Sequence, residues 1–230
     1  MKIFTHIQLV KRRVLTVTAT LLVSLLTLSG CDSQRPSQRA VFFLIDTSGT
    51  YTQELNKAQH IMNYLLATLD SGDSIAMARI DSGSFSEKDI IAKTTFDSRP
   101  STANDQKRLF KNQIDQFVTT LKSGSANTDI TGGILQAAEY VNETQAEEKY
   151  ILIFSDLEED LKVGHIRDFP IELKGINVVA LNVTKLRSDN IDPRDYQNRL
   201  SHWQGRVTEG GGEWRVLNDL ERLDKLITLR

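Results

Sequence analysis

The feature that most constrains this fold is a repeated alternation between short apolar runs and longer segments with helical periodicity. The first run, Val41–Ile45, is apolar at every position, as expected of a central strand buried on both faces. Between Leu55 and Leu69, apolar residues then recur three and four positions apart, which predicts an amphipathic helix. Strands that alternate with helices favour a mostly parallel sheet that is covered on both faces.

The same alternation continues to the end of the chain. Further strands are predicted at 75–80, 90–96, 151–154, 176–183 and 214–217. The strands at 75–80 and 90–96 should pair antiparallel, because only a short turn separates them. Further helices are predicted over 110–121, after Thr131, after Pro193 and over 220–227, with exposed polar loops at 99–104 and 185–193. The predicted fold is therefore α/β and doubly wound, with a mostly parallel six-stranded sheet and one antiparallel edge strand.

The N-terminus has the pattern of an export signal. A basic start is followed by fifteen uncharged residues, Val14–Leu28, which is short for a spanning helix but typical of the apolar core of a signal peptide. The next residues, Leu28-Ser29-Gly30-Cys31, resemble the bacterial lipobox. That resemblance implies cleavage before Cys31 and attachment of a lipid to it, whereas the alternative is an uncleaved anchor helix.

These features divide the chain into three parts. Residues 1–30 are predicted to be a lipoprotein signal peptide, 31–40 a lipidated cysteine with a short polar tether, and 41–230 the folded domain. Asp32 follows the cysteine and resembles the signal that retains lipoproteins in the inner membrane of enteric-type bacteria. We therefore expect a protein that is lipid-anchored at the periplasmic face of the inner membrane, with the outer membrane as the alternative.

The composition narrows the classes of partner. Cys31 is the one cysteine, so no disulfide can form within the chain and the fold must depend on its core. Without the four basic residues of the signal, 24 Lys and Arg stand against 30 Asp and Glu, a net charge of −6. This charge argues against a nucleic-acid partner, and contact with the membrane is expected through the lipid anchor.

Polar side chains follow the apolar runs at the edge where parallel strands end. Asp46-Thr47-Ser48-Gly49-Thr50 comes after the first run, Ser155-Asp156 after the run at 151–154, and Asn127-Thr128-Asp129 precedes the third helix. Ligands of open parallel sheets bind beyond the carboxyl ends of the strands. Carboxylates and hydroxyls suit a hard cation such as Mg²⁺, with Mn²⁺ or Ca²⁺ as alternatives.

These three elements, in this order, resemble the metal-ion-dependent adhesion site of von Willebrand factor A domains. The resemblance implies a Rossmann-like fold and a binding module, not an enzyme, whose metal is often completed by an acidic side chain of a protein partner, here one in the bacterial envelope. The ligands that it implies are Asp46, Ser48, Thr50, Thr128 and Asp156. The sequence departs from the family at Leu157, where glycine is common, and in the acidic run Glu158-Glu159-Asp160.

Other interpretations of the same residues stay open. Asp46 and Thr128-Asp129 are also favoured helix caps, and the acidic run is also typical of a solvated loop. A strand that ends in Asp46 is similar to haloacid-dehalogenase-like phosphatases, but Ser48 stands where their second Asp would transfer a proton. The third possibility is a scaffold that uses the same fold without a metal.

Overall fold

The computed structural model describes residues 37–49, 54–121, 124–221 and 223. The strands are β1 (Arg39–Asp46), β2 (Ser74–Ile80), β3 (Ile90–Thr95), β4 (Glu148–Phe154), β5 (Ile176–Leu181) and β6 (Glu213–Leu217). The α-helices are α1 (Leu55–Thr68), α2 (Pro100–Thr120), α3 (Ile130–Glu143) and α4 (Pro193–Glu209). Two short 3₁₀ turns lie at Glu87–Asp89 and Ser188–Asn190.

The six strands form one sheet in the order β3-β2-β1-β4-β5-β6. All neighbouring pairs are parallel except β2 and β3, which run antiparallel at one edge. The predicted mixed sheet with a single antiparallel edge strand is therefore confirmed. Strand order reverses between β1 and β4, so the carboxyl ends of these two strands form the crevice in which such sheets bind ligands.

Helices cover both faces of the sheet, because the central strands are apolar on both sides. One core packs alternate residues of β1, such as Phe43 and Ile45, against α1 and α2. The other packs Phe42 and Leu44 against α3 and α4, where Trp203 is almost fully buried. Most of the favourable free energy of folding comes from this two-sided burial of apolar surface.

Two predicted boundaries differ from the observed ones. Strand β1 begins at Arg39, inside the segment assigned to the tether, and the Ser37 hydroxyl donates to Glu148 of β4 at 2.6 Å. The predicted loop over 99–104 is wrong, because α2 begins at Pro100. Proline is tolerated in the first turn of a helix, where its missing N–H would have no partner within the helix.

Several predictions lie on residues that the structure does not describe. These are the signal peptide (1–30), Cys31, Asp32, and most of the C-terminal helix expected over 220–227. Within the described part of the chain, no helix has the length and apolar character needed to cross a bilayer.

The connection from β4 to β5 has no helix, although parallel strands are usually joined by one. Residues 155–175 instead form a long loop, which an ion pair and hydrogen bonds of two arginines hold in place. Arg167 pairs with Asp129 at the start of α3 at 2.7 Å, and Arg206 of α4 donates to the carbonyl oxygens of Arg167 and Phe169. The loop is thereby held beside the strand ends where the predicted site lies.

Candidate functional site

Asp46 is the last residue of β1 and is fully buried. One carboxylate oxygen accepts a hydrogen bond from the Ser48 backbone N–H at 2.7 Å, and the other accepts from the Ser155 hydroxyl at 2.7 Å. The Ser48 hydroxyl also donates to this carboxylate. Asp46 is not the N-cap of α1, because that helix begins nine residues later and Glu54 is at its N-cap position.

Asp156 lies just beyond the end of β4 and is 3% exposed. Since β1 and β4 are paired with Ile45 opposite Phe154, the two aspartates follow neighbouring strands at the same edge. The Asp156 carboxylate accepts from the backbone N–H of Glu158 at 3.0 Å. The structure therefore brings together the two acids that the sequence predicted.

Leu157 explains why this position favours glycine. Its backbone lies in the left-handed region, with φ 66°, which is unfavourable for a residue with a Cβ. The side chain is almost fully buried in the core beneath α3 and α4, and its backbone N–H donates to the Ser155 hydroxyl at 3.0 Å. Burial of a leucine is worth about 2 kcal/mol, which offsets the backbone penalty of roughly 1 to 2 kcal/mol.

Thr128 is carried to the same edge by the loop that precedes α3. The backbone N–H of Ser125 donates to the Thr47 carbonyl at 2.8 Å, so this loop lies against the one that follows β1. Three residues on, the backbone of Thr128 forms a two-way bridge with Asp160 of the loop after β4. Thr128 is buried, and its backbone joins two of the three loops at the site.

Gly124 allows the first of these loop contacts. A Cβ at this position would lie 2.6 Å from the Thr47 carbonyl oxygen and 2.7 Å from the Gly49 nitrogen. Both atoms are backbone and cannot rotate away, so any larger residue would force the two loops apart.

The buried aspartates fall into two groups, those that form an ion pair with an arginine and those that do not. Six aspartates of the described residues are buried, and four of these pair with an arginine. The four pairs are Asp73 with Arg39, Asp89 with Arg79, Asp129 with Arg167 and Asp189 with Arg199. Among the described residues, no cationic side chain forms an ion pair with Asp46 or Asp156. Arg199 donates to the backbone carbonyl of Asp156 at 3.1 Å and its charge lowers the pKa of the Asp156 carboxyl, but its guanidinium pairs with Asp189.

The protonation equilibria of both acids reflect this arrangement. Burial, helped by the neighbouring charge of Asp46, raises the pKa of Asp156 from 3.8 to about 6, although the hydrogen bond from the Glu158 N–H and the charge of Arg199 oppose the shift. Burial also raises the pKa of Asp46, although hydrogen bonds from Ser48 and Ser155 oppose the shift. Two buried carboxylates that repel each other form a site that a cation would stabilise.

The donor set fits a hard divalent cation such as Mg²⁺. Two carboxylates and neighbouring hydroxyls offer oxygen ligands, and Mg²⁺ usually keeps several of its waters. No cluster of three or more His, Cys, Asp or Glu side chains suited to a metal occurs in the described residues. A cation held by Asp46 and Asp156 would take hydroxyl and water oxygens as its other ligands. Thr50, the third predicted hydroxyl, lies outside the described residues.

The acidic residues that follow Asp156 form hydrogen bonds and an ion pair with neighbouring segments. Glu159 accepts from the backbone N–H and the hydroxyl of Thr131, at 2.7 and 3.1 Å. Asp160 accepts from the side chain of Asn127 at 3.0 Å, while Glu158 is exposed and lies 3.7 Å from Arg199. Two of the three acids therefore have hydrogen-bond partners within the protein.

Asp129 is a helix cap, as one interpretation of the sequence held. One of its carboxylate oxygens accepts from the backbone N–H of Gly132 at 2.8 Å, and both accept from Arg167. The arginine partners of the buried acids were not predicted, because residues far apart in sequence leave no local pattern. Ser155 stood beside Asp156 in the predicted constellation, but its hydrogen bond to Asp46 depends on the pairing of β1 with β4.

Comparisons with known proteins bear on the fold. No protein-family model and no curated protein matches the chain. A von Willebrand factor type A structure from Catenulispora acidiphila is 13% identical with a TM-score of 0.51, and the match covers 82% of this chain and 41% of that one. The PilB minor pilin from Streptococcus sanguinis is also 13% identical with a TM-score of 0.51, over 85% of this chain and 61% of that one.

A third similar structure is an aerotolerance-related membrane protein from Bacteroides fragilis, at 16% identity, with a TM-score of 0.45 over 82% of this chain and 96% of that one. By its own strand order and burial, the described domain is a doubly wound α/β domain with two buried acids at the carboxyl edge of its sheet. Its architecture is the von Willebrand factor A fold, as the motifs predicted.

Proposed function

We propose that this protein is a membrane-anchored von Willebrand factor A module that binds a protein partner in the bacterial envelope through a divalent metal ion. Asp46, Ser48, Thr50, Thr128 and Asp156 would supply the ligands, directly or through water, and Mg²⁺ is the ion that such oxygen donors favour. Cys31 would carry the lipid, and Asp32 would keep the protein at the inner membrane.

One observation carries the metal proposal. Asp46 and Asp156 are buried at neighbouring strand ends, and neither forms an ion pair with a cationic side chain of the described residues. Buried carboxylates are normally paired or bound to a metal, because an isolated buried charge is strongly unfavourable. The other four buried aspartates follow that rule with arginine, so a metal ion is the missing counter-charge that best fits these two.

The donor set also supports an acidic partner. Hydroxyl ligands are neutral, so the two carboxylates at most balance the charge of a divalent ion. A partner's anionic group can then take a coordination position of the metal that no side chain of this domain occupies. A carboxylate side chain is such a group. The edge of the sheet would thus bind a partner's Asp or Glu through the metal.

Titration of Mg²⁺ and Mn²⁺ into residues 37–230, followed by calorimetry, tests the metal. We expect saturable binding at millimolar or lower ion concentration, lost in Asp46→Ala. The matched control is Asp73→Ala, which removes a buried, arginine-paired aspartate at the opposite end of β2. Wild-type protein that binds neither ion, or Asp46→Ala that binds as well as wild type, would refute the metal site.

Crosslinking and pull-down from membranes, with and without a chelator, tests the partner. A protein captured by wild type, and lost on chelation and in Asp46→Ala, is the expected result. A partner captured equally in both conditions would mean that the fold acts as a scaffold without metal.

Membrane fractionation tests the anchor. We expect the wild-type protein in the inner membrane and a shift to the outer membrane in Asp32→Ser. Cys31→Ala should leave the protein unlipidated. Wild-type protein in the outer membrane would refute the assignment of Asp32, and lipid-free wild-type protein would refute the role of Cys31.

A further inference from the structure

Helix α4 contacts the main chain of the candidate site directly, through two side chains one turn apart. The Arg199 guanidinium donates from Nε to the Asp156 carbonyl oxygen at 3.1 Å, and the Trp203 indole N–H donates to the carbonyl oxygen of the next residue, Leu157, at 3.0 Å. Residues four apart on a helix lie on the same face. Two successive carbonyl groups just beyond the end of β4 are therefore held by one face of one helix.

The turn that contains Asp156 depends on such support from outside. Leu157 has a φ of 66°, in the left-handed region that is unfavourable for a residue with a Cβ. Because β4 is followed by a loop and not by a helix, no helical hydrogen bonds hold these carbonyl groups. A strained backbone conformation persists only where the surrounding structure determines it, and the two bonds from α4 contribute to that.

Arg199 is in turn fixed by Asp189, which belongs to the 3₁₀ turn before α4. Each of the two terminal guanidinium nitrogens lies 2.9 Å from a different carboxylate oxygen of Asp189, so the pair is bidentate. The Asp189 side chain is fully buried and also accepts from the Leu186 N–H at 2.7 Å. A planar guanidinium whose three nitrogens all have acceptors keeps one orientation. Its Nε–H is therefore directed at the Asp156 carbonyl.

We infer that Arg199 is a positioning residue for the candidate metal site, and that Asp189 acts together with it. By fixing the main chain of Asp156, Arg199 keeps the Asp156 carboxylate beside Asp46, where one ion can bind both acids. Arg199 itself does not contact the ion. The positioning of Asp156 is a property of the metal-free protein, whereas its effect on an ion rests on the proposed function.

Hydrogen exchange in the isotope-labelled intact chain, followed by NMR in a chelator, tests the positioning without metal. The reporter is the Glu158 amide, because its N–H donates to the Asp156 carboxylate at 3.0 Å. Arg199→Lys keeps the positive charge but loses the Nε–H and the bidentate pair. We therefore expect the Glu158 amide to exchange roughly tenfold faster in this variant. Unchanged exchange of this amide would overturn the inference.

Arg39→Lys is the matched control. Arg39 also pairs with a buried aspartate, Asp73, and also donates to a backbone carbonyl, that of Thr68 at 3.1 Å. It begins β1, however, at the end of the strand opposite to the site. Both substitutions should lower the melting temperature, and only Arg199→Lys should accelerate exchange at Glu158. Equal acceleration in both variants would mean that Arg199 only stabilises the fold, and would overturn the inference.

Calorimetric titration of Mg²⁺ into the same proteins tests the consequence for the ion. Arg199→Lys should weaken Mg²⁺ binding about tenfold or more, as the loss of a residue that orients a metal ligand does, and Arg39→Lys should leave it unchanged. Asp189→Asn should weaken it by a similar factor, and the double variant of Arg199 and Asp189 no further, because the two residues act as a unit.

Normal Mg²⁺ affinity in Arg199→Lys, or additive losses in the double variant, would overturn the inference. A wild-type protein that binds no Mg²⁺ would instead refute the proposed function, and the exchange rate of the Glu158 amide would still decide whether Arg199 positions Asp156.

Discussion

Replacing Asp156 by asparagine is expected to stabilise the metal-free domain at alkaline pH and to abolish its stabilisation by Mg²⁺. Asparagine has nearly the same shape, and its side-chain oxygen can accept the hydrogen bond that the Glu158 N–H now donates at 3.0 Å. The substitution removes a buried negative charge that lies beside Asp46 and forms no ion pair among the described residues. Its effect on folding should therefore be opposite to that of most buried substitutions.

The magnitude follows from the pKa of Asp156, which burial raises from 3.8 to about 6. Each pKa unit corresponds to about 1.4 kcal/mol, so ionisation of this carboxyl destabilises the fold by about 3 kcal/mol once the pH is well above 6. Below the unfolded value of 3.8 the group is protonated in both states and the penalty vanishes. The advantage of Asp156→Asn should grow as the pH rises between these two values.

Urea unfolding of residues 37–230 in a chelator, at about pH 4 and about pH 8, measures this difference. Comparing variant with wild type at each pH cancels the contributions of carboxylates that do not interact with Asp156, while relief of the repulsion with Asp46 adds to the expected gain. Asp73→Asn is the control, since this buried acid is paired with Arg39 and the same substitution should destabilise the domain. In Mg²⁺ the wild type should gain stability by linkage, and Asp156→Asn should not.

The reasoning fails if Asp156→Asn is less stable than wild type at pH 8 in a chelator. It also fails if the difference between the two proteins does not change with pH, because the stabilisation would then have another origin than the buried charge.

Two further substitutions test how the loops are held. Gly124→Ala should weaken Mg²⁺ binding by about tenfold or more in calorimetry, because the new Cβ would clash with the backbone of Thr47 and Gly49. Gly205→Ala is the control, since open space surrounds its Cβ and Mg²⁺ binding should not change. Equal metal affinity of Gly124→Ala and wild type would contradict this. Leu157→Gly should lower the unfolding free energy by about 1 to 3 kcal/mol in urea, because the loss of a buried leucine exceeds the relief of its left-handed backbone. A more stable variant would show that strain dominates there.

The order of strands and helices could be predicted from the sequence because each apolar run is either continuous or regularly spaced. Val41–Ile45 has to be buried on both faces, which places β1 at the centre of the sheet. The antiparallel edge strand was also predictable, from the short separation between β2 and β3. The start of α2 was not, because its first turn is polar and contains Pro100.

The candidate site could be predicted only in part, for a similar reason. Asp46 and Asp156 directly follow strands, so topology alone brings them to one edge. The pairing of Asp129 with Arg167, 38 positions apart, depends on the path of the loop between β4 and β5, which has no regular pattern. The arginine pairs of the other buried aspartates are the comparison that makes the missing counter-charge at Asp46 and Asp156 significant, and the sequence alone does not show them.

The most direct test of the metal site is a crystal structure of residues 37–230 grown with Mn²⁺, with anomalous differences measured at the manganese edge. We predict one strong anomalous peak at the carboxyl edge of β1 and β4, within coordination distance of Asp46 or Ser48 and linked to Asp156 directly or through water. A peak only at the exposed Glu158, or no peak in crystals that contain millimolar Mn²⁺, would contradict the proposal that this domain binds its partner through a metal.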